Sequence, residues 1–455
     1  MIALPPRLLA GFRVSCSIGF VAVAGAAAPA AERLSVDVAV ELAMGGNRRL
    51  QQGSLAVDVT RDRERQARAF AYPQVSGGVL VGRLLAPLDL RFPAGSLGTY
   101  AATGPLPGRA IDVRADPGLA MYGNLQLVQP LTQQYKIFQR AEAARRALAA
   151  EAEKQKGRRL QVADQVRQAC VALLQTQSTL MMLAGSRTFL AEYQRVAQLG
   201  VAAASLLKPE AMAVDARLAE LDWQEAQARD RLSSAREQLN LLLGRDLATP
   251  VEIEPLPLAL PEEPELAVAV ARAIGGRPDL RQARLEHESA QRSVAAARAE
   301  RWPEASAMVV QQWMPRMDPL PRSVGYAGVA VQWDIFDGGR RRAEVAAGHR
   351  TVEQARLGLV EAEDQVRLEV AAAHRALRQS RLALRGADLT LALEAERLRV
   401  ARELREADSA LLRELLQQRA SYESALSSRQ HAFFAAWLAH FAFEKSLGPA
   451  RPDSP

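Results

Sequence analysis

Two stretches of the 455-residue chain, about 133–200 and 340–404, contain no proline and are dominated by Ala, Leu, Arg, Glu and Gln. These residues cost least in a helix. At about 1.5 Å per residue, roughly 65 residues of helix reach about 100 Å, far more than a compact domain can enclose. Val345, Val352, Leu359, Val366 and Ala373 recur every seven residues, as do Leu384, Leu391 and Leu398, with Leu412 after a gap at Arg405. A strict seven-residue apolar repeat predicts a left-handed coiled-coil seam. The chain returns through about 210–243 and 412–446, so each stretch is the first arm of a helical hairpin with its turn near 199–209 or 403–413.

The chain is also an internal duplication. Residues 36–81 align without a gap on 266–311 at an offset of 230, with matches at Val38/Val268, Gly45/Gly275, Gly46/Gly276, Leu50/Leu280, Arg68/Arg298, Pro73/Pro303 and Ser76/Ser306. The back half of each repeat aligns at an offset of 204, where Val166 meets Val370, Arg195-Val196-Ala197 meets Arg399-Val400-Ala401, and Leu243-Gly244 meets Leu447-Gly448. The offsets differ by 26 residues, so repeat 1 carries a Pro/Gly-rich insertion between about 82 and 122, with its last residue absorbed by about 139. A length of about 150 residues per domain would suggest three domains; one unit used twice describes the order better. The expected organisation is a first repeat over 31–249, a proline-rich linker over 250–264, a second repeat over 265–448 and a disordered tail over 449–455.

Each unit reads helix, strand, loop, strand, then the long hairpin. The first helices run from about 36 to 70 and from 264 to 301, ending at Tyr72-Pro73 and Trp302-Pro303. Proline disfavours helix in the residue before it, and an aromatic suits a membrane–water interface. Strands are expected over about 73–83, 119–129, 304–314 and 325–336. Leu119, Met121, Leu125 and Leu127 alternate with Ala120, Tyr122, Asn124 and Gln126; Val329, Val331 and Trp333 alternate with Ala330, Gln332 and Asp334. Ten residues with one apolar face match a tilted membrane-spanning strand, although a half-buried soluble hairpin gives the same pattern. Four such strands cannot close a barrel alone, and an open edge in lipid leaves backbone groups unsatisfied. Symmetric assembly resolves this, with eight strands for a dimer or twelve for a trimer.

Composition excludes other classes. The chain is 49% hydrophobic with mean hydropathy −0.11, and no run of about 20 apolar residues follows the N-terminus, which rules out a polytopic helical membrane protein. The start is different. Arg7 and Arg13 precede an apolar run from Val14 to Ala28 and a small-residue site at Ala26–Ala31, the pattern of a secretory signal peptide over residues 1–30. Its removal lowers the formal charge from +7 to +5 and leaves Cys170 as the single thiol, at a core position of a helix. A membrane anchor would need a longer run, and Cys16 precedes the apolar segment, unlike a lipobox cysteine.

With these features in place the sequence resembles the TolC-like family of outer-membrane efflux proteins, over nearly all of the mature chain. The resemblance rests on Gly276-Arg277-Pro278-Asp279-Leu280, on Ala296-Ala297-Arg298-Ala299-Glu300-Arg301-Trp302-Pro303, and on Val331-Gln332-Trp333-Asp334-Ile335-Phe336-Asp337-Gly338-Gly339-Arg340, with Leu127-Val128-Gln129-Pro130-Leu131 as the counterpart in repeat 1. It implies a mainly α fold with a small β part: a duplicated unit of long antiparallel helical hairpins plus four membrane strands per chain. It further implies that three chains form a twelve-stranded barrel in the Gram-negative outer membrane, extended by a helical tunnel through the periplasm. The implied partners are two further copies (a homotrimer), outer-membrane lipid, a periplasmic adaptor (membrane fusion) protein and an inner-membrane pump of an efflux or type I secretion system. No cofactor is implied. A soluble periplasmic coiled-coil scaffold or adaptor is the alternative.

Under this resemblance Asp337, Gly338 and Gly339 turn strand into helix, where non-glycine backbone is strained. Tyr72, Pro73, Trp302 and Pro303 mark the helix-to-strand junctions. The hairpin turns form the periplasmic tip and gate, with Gly200, Ser205, Lys208, Glu210, Arg402, Glu403, Arg405, Glu406, Asp408, Ser409 and Glu414 as candidates. Three symmetry copies of such charges would focus potential in a narrow ring, whereas a solvated helix face needs no such role. Gly200 lies several residues before the family's tip glycine, and Ala204 and Asp408 stand at the aligned positions.

Enzymatic signatures are missing. His287, His349, His374, His431 and His440 have no metal-ligand spacing. Ser205-Leu206-Leu207-Lys208 matches S-x-x-K but falls at a hairpin turn and lacks a K-T-G partner. Arg and Glu are interspersed along the helices without a basic block, which argues against nucleic acid despite a pI near 9.7. Phe433-Phe434-Ala435-Ala436-Trp437 lies late in a long helix and reads as packing.

Overall fold

A computed structural model describes residues 32–83, 85, 88–115, 119–203, 208–314, 322–406 and 412–449. The expected signal peptide and the end of the tail lie outside these residues. In chain order the elements are β1 (Glu32–Leu34), α1 (Val36–Gly46), α2 (Arg48–Ala69), β2 (Gln74–Arg83), β3 (Leu88–Phe92), β4 (Thr99–Tyr100), β5 (Gly104–Pro105), β6 (Ile111–Ala115), β7 (Leu119–Pro130), α3 (Gln134–Ala202), α4 (Lys208–Leu243), β8 (Val251–Ile253), α5 (Leu266–Gly276), α6 (Pro278–Ala299), β9 (Glu304–Trp313), β10 (Ser323–Gln332), α7 (Arg340–Glu406) and α8 (Leu412–Leu447).

Helices α3 and α7, of 69 and 67 residues, are the uninterrupted spines. Shorter helices pack along each spine. The first half of α3 faces α6 through Arg146–Glu288 (3.0 Å) and Ser289 Oγ, which donates to Ala143 O (2.9 Å); its second half faces α4 through Arg187–Asp222 (2.9 Å) and Gln194–Asp215 (2.7 Å). Likewise α7 faces α6 through Arg284–Glu363 (3.2 Å) and then α8 through Arg429–Asp388 (2.9 Å). The seven-residue seam lies inward, with Val345, Val366 and Leu398 buried.

The expected first helices, 36–70 and 264–301, are each two helices in the structure. Asn47 and Arg277, which occupy equivalent positions in the repeats, break them in extended conformation. The Asn47 side chain caps α2, accepting from Arg49 N (2.9 Å) and Leu50 N (3.4 Å), while its Nδ2 donates to Leu242 O (2.7 Å) at the end of α4. Arg277 does the equivalent work with different chemistry. Pro278 starts α6 at the first helical position, where its missing N–H costs nothing, and the guanidinium donates to Glu369 (2.8 Å), Asp279 (2.7 Å) and Ser446 O (3.2 Å) at the end of α8. Leu242 and Ser446 are themselves equivalent at the 204 offset. Each pin satisfies an orphan carbonyl at a helix C-terminus and fixes where a shorter helix hands over to the next along the spine. The backbones touch there. Gly244 has φ +74°, and a Cβ on Gly244 would overlap the Gly46 carbonyl oxygen.

Two cores sit at these handover points, built from equivalent residues. Ala39, Ala43, Leu50, Val166, Leu173 and Leu243 are buried in one; Ala269, Ala273, Leu280, Val370, Leu377 and Leu447 are buried in the other. The first core is larger because Phe433, Phe434, Trp437 and Phe441 of α8 pack into it, each contributing roughly 1.5–3 kcal/mol of apolar burial. The aromatic cluster thus joins repeat 2 to repeat 1. Lys445 adds an ion pair to buried Asp164 (2.9 Å), and Trp437 Nε1 donates to Pro257 O of the linker (3.1 Å). Within that linker β8 pairs in parallel with β1, strand pairing that its five prolines had concealed. Cys170 is buried in the same core, and burial pushes its thiol up to about 12.

Candidate functional site: a two-faced sheet above a helical stalk

The four long strands form one antiparallel sheet in the order β10-β9-β7-β2. Its register brings residues of one parity together on one face. Odd-numbered residues align as Val75↔Leu127↔Val309 and as Val81↔Met121, Val329↔Ala307 and Val331↔Ala305. Even-numbered residues align as Ser76↔Gln126↔Val310 and as Asn124↔Gln312, Ala330↔Ser306 and Gln332↔Glu304. The odd face is apolar and exposed across all four strands, from Val75, Val79 and Val81 to Val329 and Val331. The even face is richer in Gln, Asn and Ser, and buries Val310. A ten-residue strand is about 33 Å long, so at a tilt of about 40° it crosses the roughly 25 Å apolar band of a membrane barrel.

The strand bounds differ most from expectation at β10, expected over 325–336 and observed over Ser323–Gln332. β10 ends at Gln332, leaving 333–336 as an extension whose Trp333, Ile335 and Phe336 are 56%, 82% and 90% exposed. The reason is local: its partner β9 begins at Glu304, opposite Gln332. The insertion in repeat 1 is more ordered than a loop. β3 pairs with β6, and β4 with β5, prolonging the β2–β7 hairpin beyond the sheet. At the corresponding end of the repeat 2 hairpin, Met314 N donates to Arg322 O (2.9 Å).

Below the sheet, Tyr72 and Trp302 are exposed, each just before its proline, and the Trp302 ring lies 5.5 Å from Tyr135. Thr132 stitches the second junction, its Oγ1 donating to Pro303 O (2.8 Å) and accepting from Ala305 N (2.8 Å). Lys136–Glu304 and Arg140–Glu300 tie α3 to β9 and to the residue after α6. These pairs were not read from the sequence; their only signal was opposite charge at positions that the fold brings together.

The Asp337-Gly338-Gly339 turn is built from the expected residues. Gly338 and Gly339 have φ of +66° and +89°, a region that favours glycine. Asp337 Oδ1 accepts from Gly339 N (3.0 Å) and Oδ2 from Arg341 N (3.1 Å), so the carboxylate caps α7. The Arg341 N–H bond, with the Gly339 N–H and the neighbouring Arg341 and Arg340 charges, holds this carboxyl below the usual range against a smaller opposing effect of desolvation. Arg341 also reaches Asp334 (3.0 Å). A cleft of about 160 Å³ at this level is lined by Lys136, Glu300, Glu304, Asp334, Arg340 and Arg341, with Trp302 and Gln332.

At the opposite end, Gly200 lies inside α3 and not in a turn; Lys208 opens α4. Arg402 is exposed, and Glu403 pairs with Arg399. Glu210, Arg405 and Glu406 lie on helical backbone, and Glu414 in the first turn of α8. Ser205, Asp408 and Ser409 fall outside the described residues. About 24 Å back from the end of α3 at 1.5 Å per residue, the two hairpins do meet. Ser186 Oγ donates to Glu423 (2.6 Å), Arg419 pairs with the same carboxylate (2.9 Å), and its guanidinium lies 4.9 Å from the Phe189 ring centroid.

Among the described residues no helix is long and apolar enough to cross a membrane, and no three His, Cys, Asp or Glu residues could hold a metal ion. Residues 269–431 match the outer membrane efflux protein family model. The sheet and spines align over 91% of the chain with solved outer-membrane channels. The fold is that of the TolC-like outer-membrane efflux proteins. Similar structures include the CmeC outer membrane channel of Campylobacter jejuni (15% identity, 85% of that chain, TM-score 0.75). The VceC outer membrane protein of Vibrio cholerae (15%, 96%, 0.73) and the open-state MtrE outer membrane channel of Neisseria gonorrhoeae (17%, 88%, 0.70) are also similar. At these identities the TolC-like match carries the fold. No curated protein sequence matches the chain significantly.

Proposed function

We propose that three copies of this chain close into a twelve-stranded outer-membrane barrel continued by a helical periplasmic tunnel, forming the exit duct of a tripartite efflux or type I secretion system. The observation that carries the reading is the sheet, with one face apolar from edge to edge and the outer edges of β2 and β10 unpaired among the described residues. In lipid, unpaired edges cost several kcal/mol per backbone group, and closure alone removes them. Identical copies can supply it, because β10 runs antiparallel to the β2 that would follow it around a ring.

The apolar odd face then meets outer-membrane lipid and the even face lines the lumen. The stalk needs neighbours too. Leu382, Leu389, Leu393, Val400 and Leu404 form an exposed stripe on α7, spaced for a further helix, which an adjacent copy would cover. The channel is passive: cargo from an inner-membrane pump enters at the tip, once a periplasmic adaptor has docked and the hairpin ends have parted. Tyr72-Pro73 and Trp302-Pro303 hold the membrane boundary, and Asp337-Gly338-Gly339 turns the wall from sheet to helix. The charged residues at the tip, among them Lys208, Arg402 and Glu403, screen what enters.

Fractionation of expressing cells followed by an alkaline wash tests this reading. Retention in the washed outer membrane is expected. Recovery as soluble periplasmic protein would replace the channel with a coiled-coil scaffold.

A further inference from the structure

Resting on the closed-ring reading, we infer the residue register of the seam between neighbouring copies: Val331 of one copy stands directly opposite Val79 of the next. The inference comes from the repeat offsets, which the observed pairing obeys. Gln74 faces Val128 in the first hairpin; adding 230 to the one and 204 to the other gives Glu304 and Gln332, the pair found in the second hairpin. The two hairpins are thus in identical register.

Where the hairpins join, β7 pairs with β9, and Leu127 faces Val309. The one remaining junction of the same kind is between copies, with β10 in place of β7 and β2 in place of β9. Moving Leu127 forward by 204 and Val309 back by 230 gives Val331 and Val79. The same operation turns Leu125↔Gln311 into Val329↔Val81 and Pro130↔Ser306 into Asp334↔Ser76. Odd residues meet odd residues throughout, so the apolar face runs across the seam without interruption. A slip of one residue would turn apolar side chains into the lumen.

The register also accounts for the extension after Gln332. In the internal junction β7 runs on past the end of β2 to Pro130, and Leu131 N donates to Ala305 O (2.9 Å). The equivalent bond across the seam is Ile335 N to Val75 O, which prolongs β10 over the exposed residues 333–335. Trp333 then lies against Gly77. That contact has a counterpart inside the chain, where Trp313 packs on Gly123, an aromatic covering the bare backbone of a strand glycine.

Disulfide scanning in washed outer membranes tests the register. Val79→Cys is combined in turn with cysteines at positions 327, 329, 331 and 333, and Val331→Cys with cysteines at 75, 77, 79 and 81. Directly opposed residues have Cβ atoms about 5 Å apart and diagonal ones about 7–8 Å, so oxidation should yield covalently linked copies several-fold more efficiently for 79 with 331 than for any other pair. The double scan keeps the comparison valid should one variant fail to insert. A maximum at 329 or 333 with Val79→Cys leaves the ring intact and overturns the register. Absence of linkage in every pair from a protein that stays trimeric on extraction overturns the register as well. Absence of linkage from a protein that extracts as a monomer overturns the closed ring itself.

Discussion

Asn47→Ala removes the polar pin between the end of α4 and the start of α2. Asn47 is 3% exposed, and its side chain makes three hydrogen bonds, two to helix-start N–H groups and one to Leu242 O. Loss of an N-cap costs about 0.5–2 kcal/mol, and loss of a bond to a part-buried carbonyl about 1 kcal/mol more. The expected destabilisation is therefore about 1.5–3 kcal/mol, read as a lower denaturation midpoint of detergent-extracted protein by circular dichroism. Asn47→Ser retains the capping oxygen but cannot reach Leu242, and should lose only about 1 kcal/mol of this. Equal stability of Asn47→Ala and wild type within about 0.5 kcal/mol would refute the reasoning, because the break would then be held by apolar packing alone.

Further outcomes follow from the same geometry. Gly244→Ala should destabilise severely, since φ is positive and the new Cβ meets the Gly46 carbonyl, whereas Gly276→Ala should be tolerated, its Cβ lying 4.0 Å from Leu447 O; expression and thermal melting compare the two. Cys170 should stay unmodified by a thiol reagent at pH 8 until denaturant is added, because burial holds the thiol near pKa 12; rapid labelling of native protein would contradict the core placement. The lowered pKa of Asp337 means its cap stabilises the fold above the ordinary carboxylate pKa and is lost as pH falls through the depressed value. Asp337→Asn should therefore narrow its stability gap to wild type in acid, measured by melting from pH 7 to pH 2.

Much of this architecture was legible because the repeat and the helix pattern are long-range, redundant signals. Proline-free stretches 133–200 and 340–404 mark spines that the structure ends at Ala202 and Glu406, and offsets of 230 and 204 recur in the pins and the sheet register. Less legible were features that need a partner. The breaks at Asn47 and Arg277 interrupt a continuous apolar pattern, although Gly275-Gly276-Arg277-Pro278 already held a stop signal and a start signal. Three-residue β1 and β8 exist only because tertiary folding brings 32–34 beside 251–253. The β3–β6 pairing was masked by the prolines and glycines around it. Residues 333–336 carry strand alternation but find no strand partner among the described residues of one chain.

The central claim is that one face of the sheet meets lipid and the other meets water. Single cysteines placed along β7 at positions 121, 122, 124, 125, 126 and 127, in washed outer membranes, test it most directly with a membrane-impermeant thiol reagent. The account predicts a period of two, with positions 122, 124 and 126 labelled and positions 121, 125 and 127 protected until detergent is added. Uniform labelling at all six would mean that β7 is not in a membrane, and the barrel would have to be abandoned.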